Sequence, residues 1–228
     1  MEEMGRSVRQ TDGVRHSTAP RRRDTRRMEE DLKASRPTES RASSARRPEV
    51  PQALLDACRN GDRDAFGELF DLCRDRVYAI ALHYTGEPAA AADVTQDVFM
   101  RLFSRLTQFR GQCAFMTWLY RIVANAALDY RRSRARLAPL DEATTFASVA
   151  AMQGDEVERR QNASQVRAAL ATLRPKLRIA LVLRYVEELS YEEIGEVLGA
   201  SSGTVASRLS RAHVAFGQAF ERIRKGDR

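Results

Sequence analysis

The sequence predicts an all-α protein: two small helical domains joined by a flexible linker, with a disordered basic tail in front. Three observations predict it. After residue 51, Gly and Pro are sparse, and stretches rich in Ala, Leu, Arg and Glu repeat their apolar residues at helical spacing. Only 7% of the 228 residues are aromatic. Residues 1–48, by contrast, hold no Phe, Tyr or Trp and carry 13 Lys/Arg against 8 Asp/Glu. Such a segment buries too little apolar surface to offset its ordering entropy. The tail is assigned to residues 1–50, the first domain to 51–136, the linker to 137–161 and the second domain to 162–228. Met28-Glu-Glu repeats Met1-Glu-Glu, which leaves Met28 as an alternative start.

In the first domain, a short helix runs through PQALLDACRN and breaks at Gly61-Asp62, where Asp62 is placed to cap the next. Phe66, Leu69, Phe70, Val77, Ile80 and Ala81 give that second helix its apolar stripe. Thr85–Pro88 is a turn, with Pro88 suited to the first turn of a third helix that runs to Leu106. Val94, Val98, Leu102 and Phe103 are expected to face inward on it. Phe109–Gln112 is a loop, and a fourth helix is predicted from about Ala114 to Arg136.

Pro139, Gly154 and several acids, with no sustained stripe, mark the linker. In the second domain Arg174-Pro175 separates a helix at Ala163–Leu173 from one at Lys176–Glu187. Next comes LSYEEIGEVLGASSGTVASRLSRA. Ser190 and Glu193 stand at capping-box spacing. Tyr191, Ile194, Val197 and Leu198 recur as one buried face, and Gly199 sits where a left-handed residue ends a helix. Ser201 or Ser202 caps the last helix. There Val205, Leu209, Ala212 and Phe216 fall on one side; Thr204, Ser207, Arg208 and Arg211 fall on the opposite side or its flank. Two helices, a short turn with Gly and a polar second helix describe a helix-turn-helix. Arg suits guanine edges or phosphate, and Ser and Thr suit base edges or backbone. On the pattern alone, a helical hairpin with a solvated charged face remains the alternative.

The net charge of +7 favours an anionic partner, nucleic acid before a membrane surface. No apolar run approaches the ~18 residues that span a bilayer, and the basic N-terminus lacks the apolar core of a secretory signal. Cys58, Cys73 and Cys113 are odd in number, scattered and without zinc-ligand spacing, which fits reduced thiols in a cytoplasmic protein. His16, His83 and His213 lie in three different segments, and the acids form no metal or acid–base motif. The chain is therefore expected not to be an enzyme and to need no cofactor or metal.

Two further faces carry information. On the fourth helix, Trp118, Arg121, Asn125 and Arg132 form a second stripe beside the core side of Phe115, Leu119, Ile122 and Ala126. A ring, an amide and cations together suit a single-stranded nucleic acid. The alternatives are a core tryptophan and helix-end cations that complement the macrodipole. On the third helix, Asp93, Gln96 and Asp97 project as an acidic-polar patch. Near a DNA-binding surface such a patch is expected to meet protein, unless it is plain solvated surface.

Three stretches in order, AADVTQDVFMRLF, FRGQCAFMTWLYRIVANAALDYRRSR and the helix-turn-helix above, resemble an extracytoplasmic-function (ECF) sigma factor of the bacterial sigma-70 family. The resemblance covers about residues 51–135 and 162–220, making the domains region 2-like and region 4-like. It implies a protein that binds core RNA polymerase, reads two promoter elements and helps open the DNA. It implies that Asp93, Gln96 and Asp97 dock the polymerase clamp helices. The Phe109–Phe115 loop, with Arg110 and Gln112, and Asn125 would hold a flipped base of the −10 element, with Trp118, Arg121 and Arg132 supporting the separated strand. Thr204, Ser207, Arg208 and Arg211 would enter the −35 major groove. An anti-sigma partner is also a family expectation. Ala206 and His213 depart from the basic residues common in the family, which weakens phosphate contact there. A linker of about 25 residues reaches at most roughly 80–90 Å, enough for elements well over one helical turn (~34 Å) apart. A free-standing helix-turn-helix regulator is the rival; it predicts a dimerisation stripe, and no heptad run long enough for a zipper is present.

Overall fold

The computed structural model describes residues 50–137 and 155–226. The assigned basic tail, apart from Val50, and the body of the linker lie outside the described residues. Helices make up all the regular structure among the described residues. They are α1 (Gln52–Arg59), α2 (Arg63–Thr85), α3 (Pro88–Arg105) with a 3-10 turn at Leu106–Gln108, α4 (Phe115–Leu137), α5 (Asp155–Thr172), α6 (Pro175–Tyr185), α7 (Tyr191–Leu198) and α8 (Ser202–Lys225).

Local chemistry places most of the boundaries. The Asp62 carboxylate accepts from the amides of Asp64 and Ala65 at 2.9 and 3.1 Å, satisfying two of the free donors at the start of α2. Gly86 takes the left-handed conformation (φ 86°) and its N–H closes on the Leu82 carbonyl at 2.8 Å, so α2 ends there. Pro88 opens α3, where a missing N–H costs nothing. Pro175 does the same for α6.

Helices α2, α3 and α4 pack around Leu69, Cys73, Val77, Ile80, Val98, Leu102, Leu119 and Val123, all buried. In the second domain α8 lies against α5, α6 and α7, burying Val205, Leu209, Ala212 and Phe216 against Val166, Leu170 and Ile179–Leu183. The two domains are not held apart. Helices α5 and α6 lean on α2, and α7 lies on α4, so one continuous apolar core runs through both.

Four expectations change. Helix α5 begins at Asp155, eight residues before the predicted Ala163, so part of the assigned linker is helical. Helix α6 stops at Tyr185, and Glu187, beyond its end, is buried. Phe103 does not face inward: it is 63% exposed, because no element among the described residues covers that edge of α3. Tyr191 is likewise exposed, at the first turn of α7, where its ring meets the Arg184 guanidinium.

Candidate nucleic-acid and protein interfaces

The helix-turn-helix is assembled by contacts within a few residues. Ser190 Oγ accepts from the Glu193 amide (3.2 Å), and the Glu193 carboxylate accepts from the Ser190 amide (2.8 Å). Gly199 is left-handed (φ 60°). Gly195 is required by close approach: a Cβ there would stand 2.5 Å from the Ala200 carbonyl oxygen, while the Ala200 amide donates to Gly195 O at 2.9 Å. Ser201, rather than Ser202, caps α8, accepting from the Thr204 amide at 3.2 Å.

The α8 residues singled out from sequence share its uncovered side. Ser207 and Arg211 are exposed; Thr204 and Arg208 are half-buried. Ser207 Oγ donates to Thr204 O at 2.9 Å and Arg211 Nε to Ser207 O at 3.1 Å, which lays these side chains along the helix. His213 is occupied by packing, 2.7 Å from the Tyr185 hydroxyl.

Before α4, the loop presents Arg110, Gly111 and Gln112 to solvent, with Gly111 left-handed (φ 70°). Its two ends are anchored. Phe109 and Phe115 are buried with ring centroids 5.7 Å apart, and half-buried Trp118 packs against Phe109, tilted by 36° with centroids 5.1 Å apart. These three rings hold the loop; the groups open to a ligand are Arg110, Gln112 and, further along α4, Asn125. Arg59, which the sequence reading missed, pins the loop from α1: Nη2 donates to Phe109 O at 2.8 Å and the guanidinium lies 5.5 Å from the ring centroid. Its position fifty residues earlier gave no local signal.

The cations of α4 are divided. Arg121 Nε donates to the Glu196 carbonyl of α7 at 2.8 Å. Arg131 reaches Ala171 O at 3.4 Å, and Arg134 pairs with Glu87 at 3.1 Å. Arg132 is largely exposed, with Asp129 at 3.5 Å.

On α3, Asp93 and Gln96 are exposed, whereas Asp97 is half-buried and paired with Arg101 at 2.9 Å. Arg101 also pairs with Asp129 of α4, and its pKa is raised, chiefly by that hydrogen bond and then by Asp97, against the opposing effect of burial. Beside Gln96 opens an apolar groove of about 750 Å³ between α2 and α3, lined by Phe66, Phe70, Phe99, Met100 and Phe103 among others. Met100 is 66% exposed. The rings pair across the groove, Phe66 with Phe103 at 5.0 Å and Phe70 with Phe99 at 4.5 Å. Exposed apolar surface of this kind is characteristic of protein, membrane or ligand contacts.

Among the described residues no cluster of His, Cys, Asp and Glu is arranged to hold a metal ion. Cys58 and Cys73 are buried; burial pushes the Cys73 thiol up to about 12, far from the reactive range. Cys113 is half-buried. No helix among the described residues is long and apolar enough to cross a membrane.

Known proteins share the sequence pattern and the fold of this chain. A family profile described as Sigma-70 region 2 matches residues 69–137, and one described as Sigma-70, region 4 matches residues 163–214. The chain is 30% identical to the ECF RNA polymerase sigma factor SigW of Bacillus subtilis, over 69% of this chain and 89% of that one. It is 33% identical to the ECF RNA polymerase sigma-E factor of Escherichia coli, over 72% and 91% respectively. Among solved structures it is similar to CnrH in complex with the cytosolic domain of CnrY, with a TM-score of 0.55 and 25% identity over 74% of this chain and 96% of that one. The sigma factor RpoE, in complex with the anti-sigma factor NepR from Bartonella quintana, shares the fold with the same TM-score at 22% identity, over 68% and 96% of the two chains.

Proposed function

The chain belongs to the extracytoplasmic-function group of the sigma-70 family, and from that premise we propose which of its residues carry the work of a sigma factor. The protein binds core RNA polymerase and directs promoter recognition and transcription initiation. Asp93, Gln96 and Asp97 dock the polymerase, and the apolar groove beside Gln96 extends that contact through Met100 and Phe103. Arg110, Gln112 and Asn125 receive the −10 base, on a loop held by Phe109, Phe115 and Trp118; Arg121 and Arg132 support the separated strand. Capturing an extruded base offsets the few kcal/mol that extrusion costs, which couples recognition to melting. Thr204, Ser207, Arg208 and Arg211 read the −35 element from the major groove. Control falls to a separate protein of the anti-sigma kind, and the protein works in the cytoplasm.

The observation that supports this division best is the sorting of side chains. Asp93 and Gln96 stand exposed on α3, Gln96 at the apolar groove, and Arg110, Gln112, Asn125, Arg132 and Arg211 stand exposed on α4, its preceding loop and α8, with Arg63, Arg74 and Arg105 exposed elsewhere. Co-elution with bacterial core RNA polymerase at moderate salt tests the polymerase face. Wild-type protein is expected to co-elute stoichiometrically, and Asp93→Arg to fail while keeping its helix content. Undiminished co-elution of Asp93→Arg would move the docking face elsewhere.

A further inference from the structure

Helix α1 has eight residues, too few to stand alone in water. Leu54, Leu55 and Cys58 bury its inner face on α2. Its last residue, Arg59, reaches away from it to the loop before α4. The guanidinium is divided among three environments. Nη1 meets Asp56 Oδ1 at 2.6 Å, and the same oxygen accepts from Gln52 at 3.0 Å, which fixes the acid along α1. Nη2 donates to the Phe109 carbonyl at 2.8 Å, and the group lies 5.5 Å from the Phe109 ring centroid. Nε is buried and has no partner among the described residues. An aliphatic side chain would fill the space beside Phe109 without desolvating that N–H, and a buried donor left unmet costs stability. The arginine is explained if its bond to the Phe109 oxygen is needed.

Phe109 is the last fixed point before the loop. Its N–H donates to Leu106 O at 3.1 Å, and its ring packs against Phe115 and Trp118. Arg110, Gly111 and Gln112, which follow, are exposed. In a planar trans peptide the C=O and N–H point in opposite directions. By holding the Phe109 oxygen toward α1, Arg59 therefore turns the Arg110 N–H away from α1. Without that bond the peptide is free to rotate between its neighbours. Gly111 (φ 70°) offers little resistance, because glycine accepts either sign of φ. The side chains of Arg110 and Gln112 would then leave the loop in several directions. A site that must be ordered on binding binds more weakly than one already ordered.

We propose that Arg59 is a positioning residue for base recognition: α1 delivers it to the Phe109 carbonyl, and that bond sets the one loop shape in which Arg110 and Gln112 face a captured base. The proposal rests on the −10 role given above to Arg110, Gln112 and Asn125. Arg59 touches no base itself; it decides how selectively the loop accepts one.

The test is a selection by holoenzyme, made from the full chain and bacterial core polymerase, on single-stranded DNA with a short run of randomised positions. Bound and input sequences are compared within one sample, so the preference at each position does not depend on the fraction of chain that is folded. Wild type is expected to prefer one base at the captured position by roughly tenfold or more, the size of one good hydrogen-bonded base contact. In Arg59→Gln the stem is kept, but the amide nitrogen ends where Nε stands, short of the Phe109 oxygen. That variant is expected to flatten the preference at the captured position and leave the flanking positions as they were. Arg59→Lys brings a donor closer to the same oxygen and is expected to keep an intermediate preference. Wild-type preference in Arg59→Gln, a loss spread evenly over all positions, or a Lys variant as flat as the Gln variant overturns the proposal. Gln112→Ala and Asn125→Ala test the reading beneath it. If they flatten the preference and Arg59→Gln does not, the −10 role stands and the positioning role falls. If both leave it intact, or wild type shows no preference, the loop is not the reader and Arg59 falls with it.

Discussion

Arg101 closes on Asp97 with two nitrogens, Nε to Oδ1 and Nη2 to Oδ2, each at 2.9 Å. Its Nη1 reaches Asp129 of α4 at 3.0 Å, and Asp129 meets Arg132 at 3.5 Å. A chain of four charges therefore runs from the proposed polymerase face to the proposed −10 strand contact. Every member is at least a quarter exposed, so its worth lies in placing charge more than in stability. Arg101→Met is expected to change unfolding free energy by less than about 1 kcal/mol. It is also expected to weaken holoenzyme binding to single-stranded −10-like DNA a few-fold, because Asp129, relieved of Arg101, holds Arg132 more closely. Fluorescence anisotropy and a thermal melt check the two halves; unchanged DNA affinity would remove Arg101 from the DNA contact.

Met100 and Phe103 are solvent-facing apolar residues at the groove. Replacing both with Glu is expected to cost about 1 kcal/mol, chiefly through the lost edge contact of Phe103 with Phe66, while abolishing co-elution with core polymerase. Retained co-elution would assign the groove to another partner.

Two glycines of the helix-turn-helix make a matched pair. Gly195→Ala pushes a methyl into the Ala200 carbonyl and is expected to cost about 1–3 kcal/mol. Gly203, in the first turn of α8, has nothing within 4 Å of its would-be Cβ. Gly203→Ala is expected to be neutral or to stabilise by up to ~1 kcal/mol, through the lower backbone entropy of the unfolded chain. Denaturant unfolding of both variants checks the sign as well as the size.

Arg211 is exposed and lies along α8, its Nε held by the Ser207 carbonyl. If it contacts phosphate, Arg211→Ala lowers the slope of log K against log salt by about one for duplex promoter DNA. A base-reading role shows instead as relaxed preference at one −35 position, with a cost of about 1–3 kcal/mol. Binding isotherms across salt and across single-base variants separate the two.

What the sequence by itself determined was local. Asp62, Gly86, Pro88, Ser190, Glu193 and Gly199 satisfy or terminate backbone hydrogen bonds within about four residues of themselves, and all act where their chemistry placed them; the α8 cap, open between Ser201 and Ser202 in the sequence, falls to Ser201. The helix-turn-helix and its outward face were legible for the same reason, and so was the family, through motifs carried on those helices. Exposure and pairing were decided by the tertiary structure alone. Phe103 is apolar enough to read as core, yet no helix among the described residues covers it. Asp97 reads as a free acid, yet Arg101 neutralises it. Glu187 and Arg76 are 111 residues apart, and Arg178 and Tyr84 are 94 apart. Helical periodicity ranks the faces of one helix; it carries no information about which face a second helix will cover. That is settled only when the domains meet, because the energy of a buried charge depends on the partner brought to it.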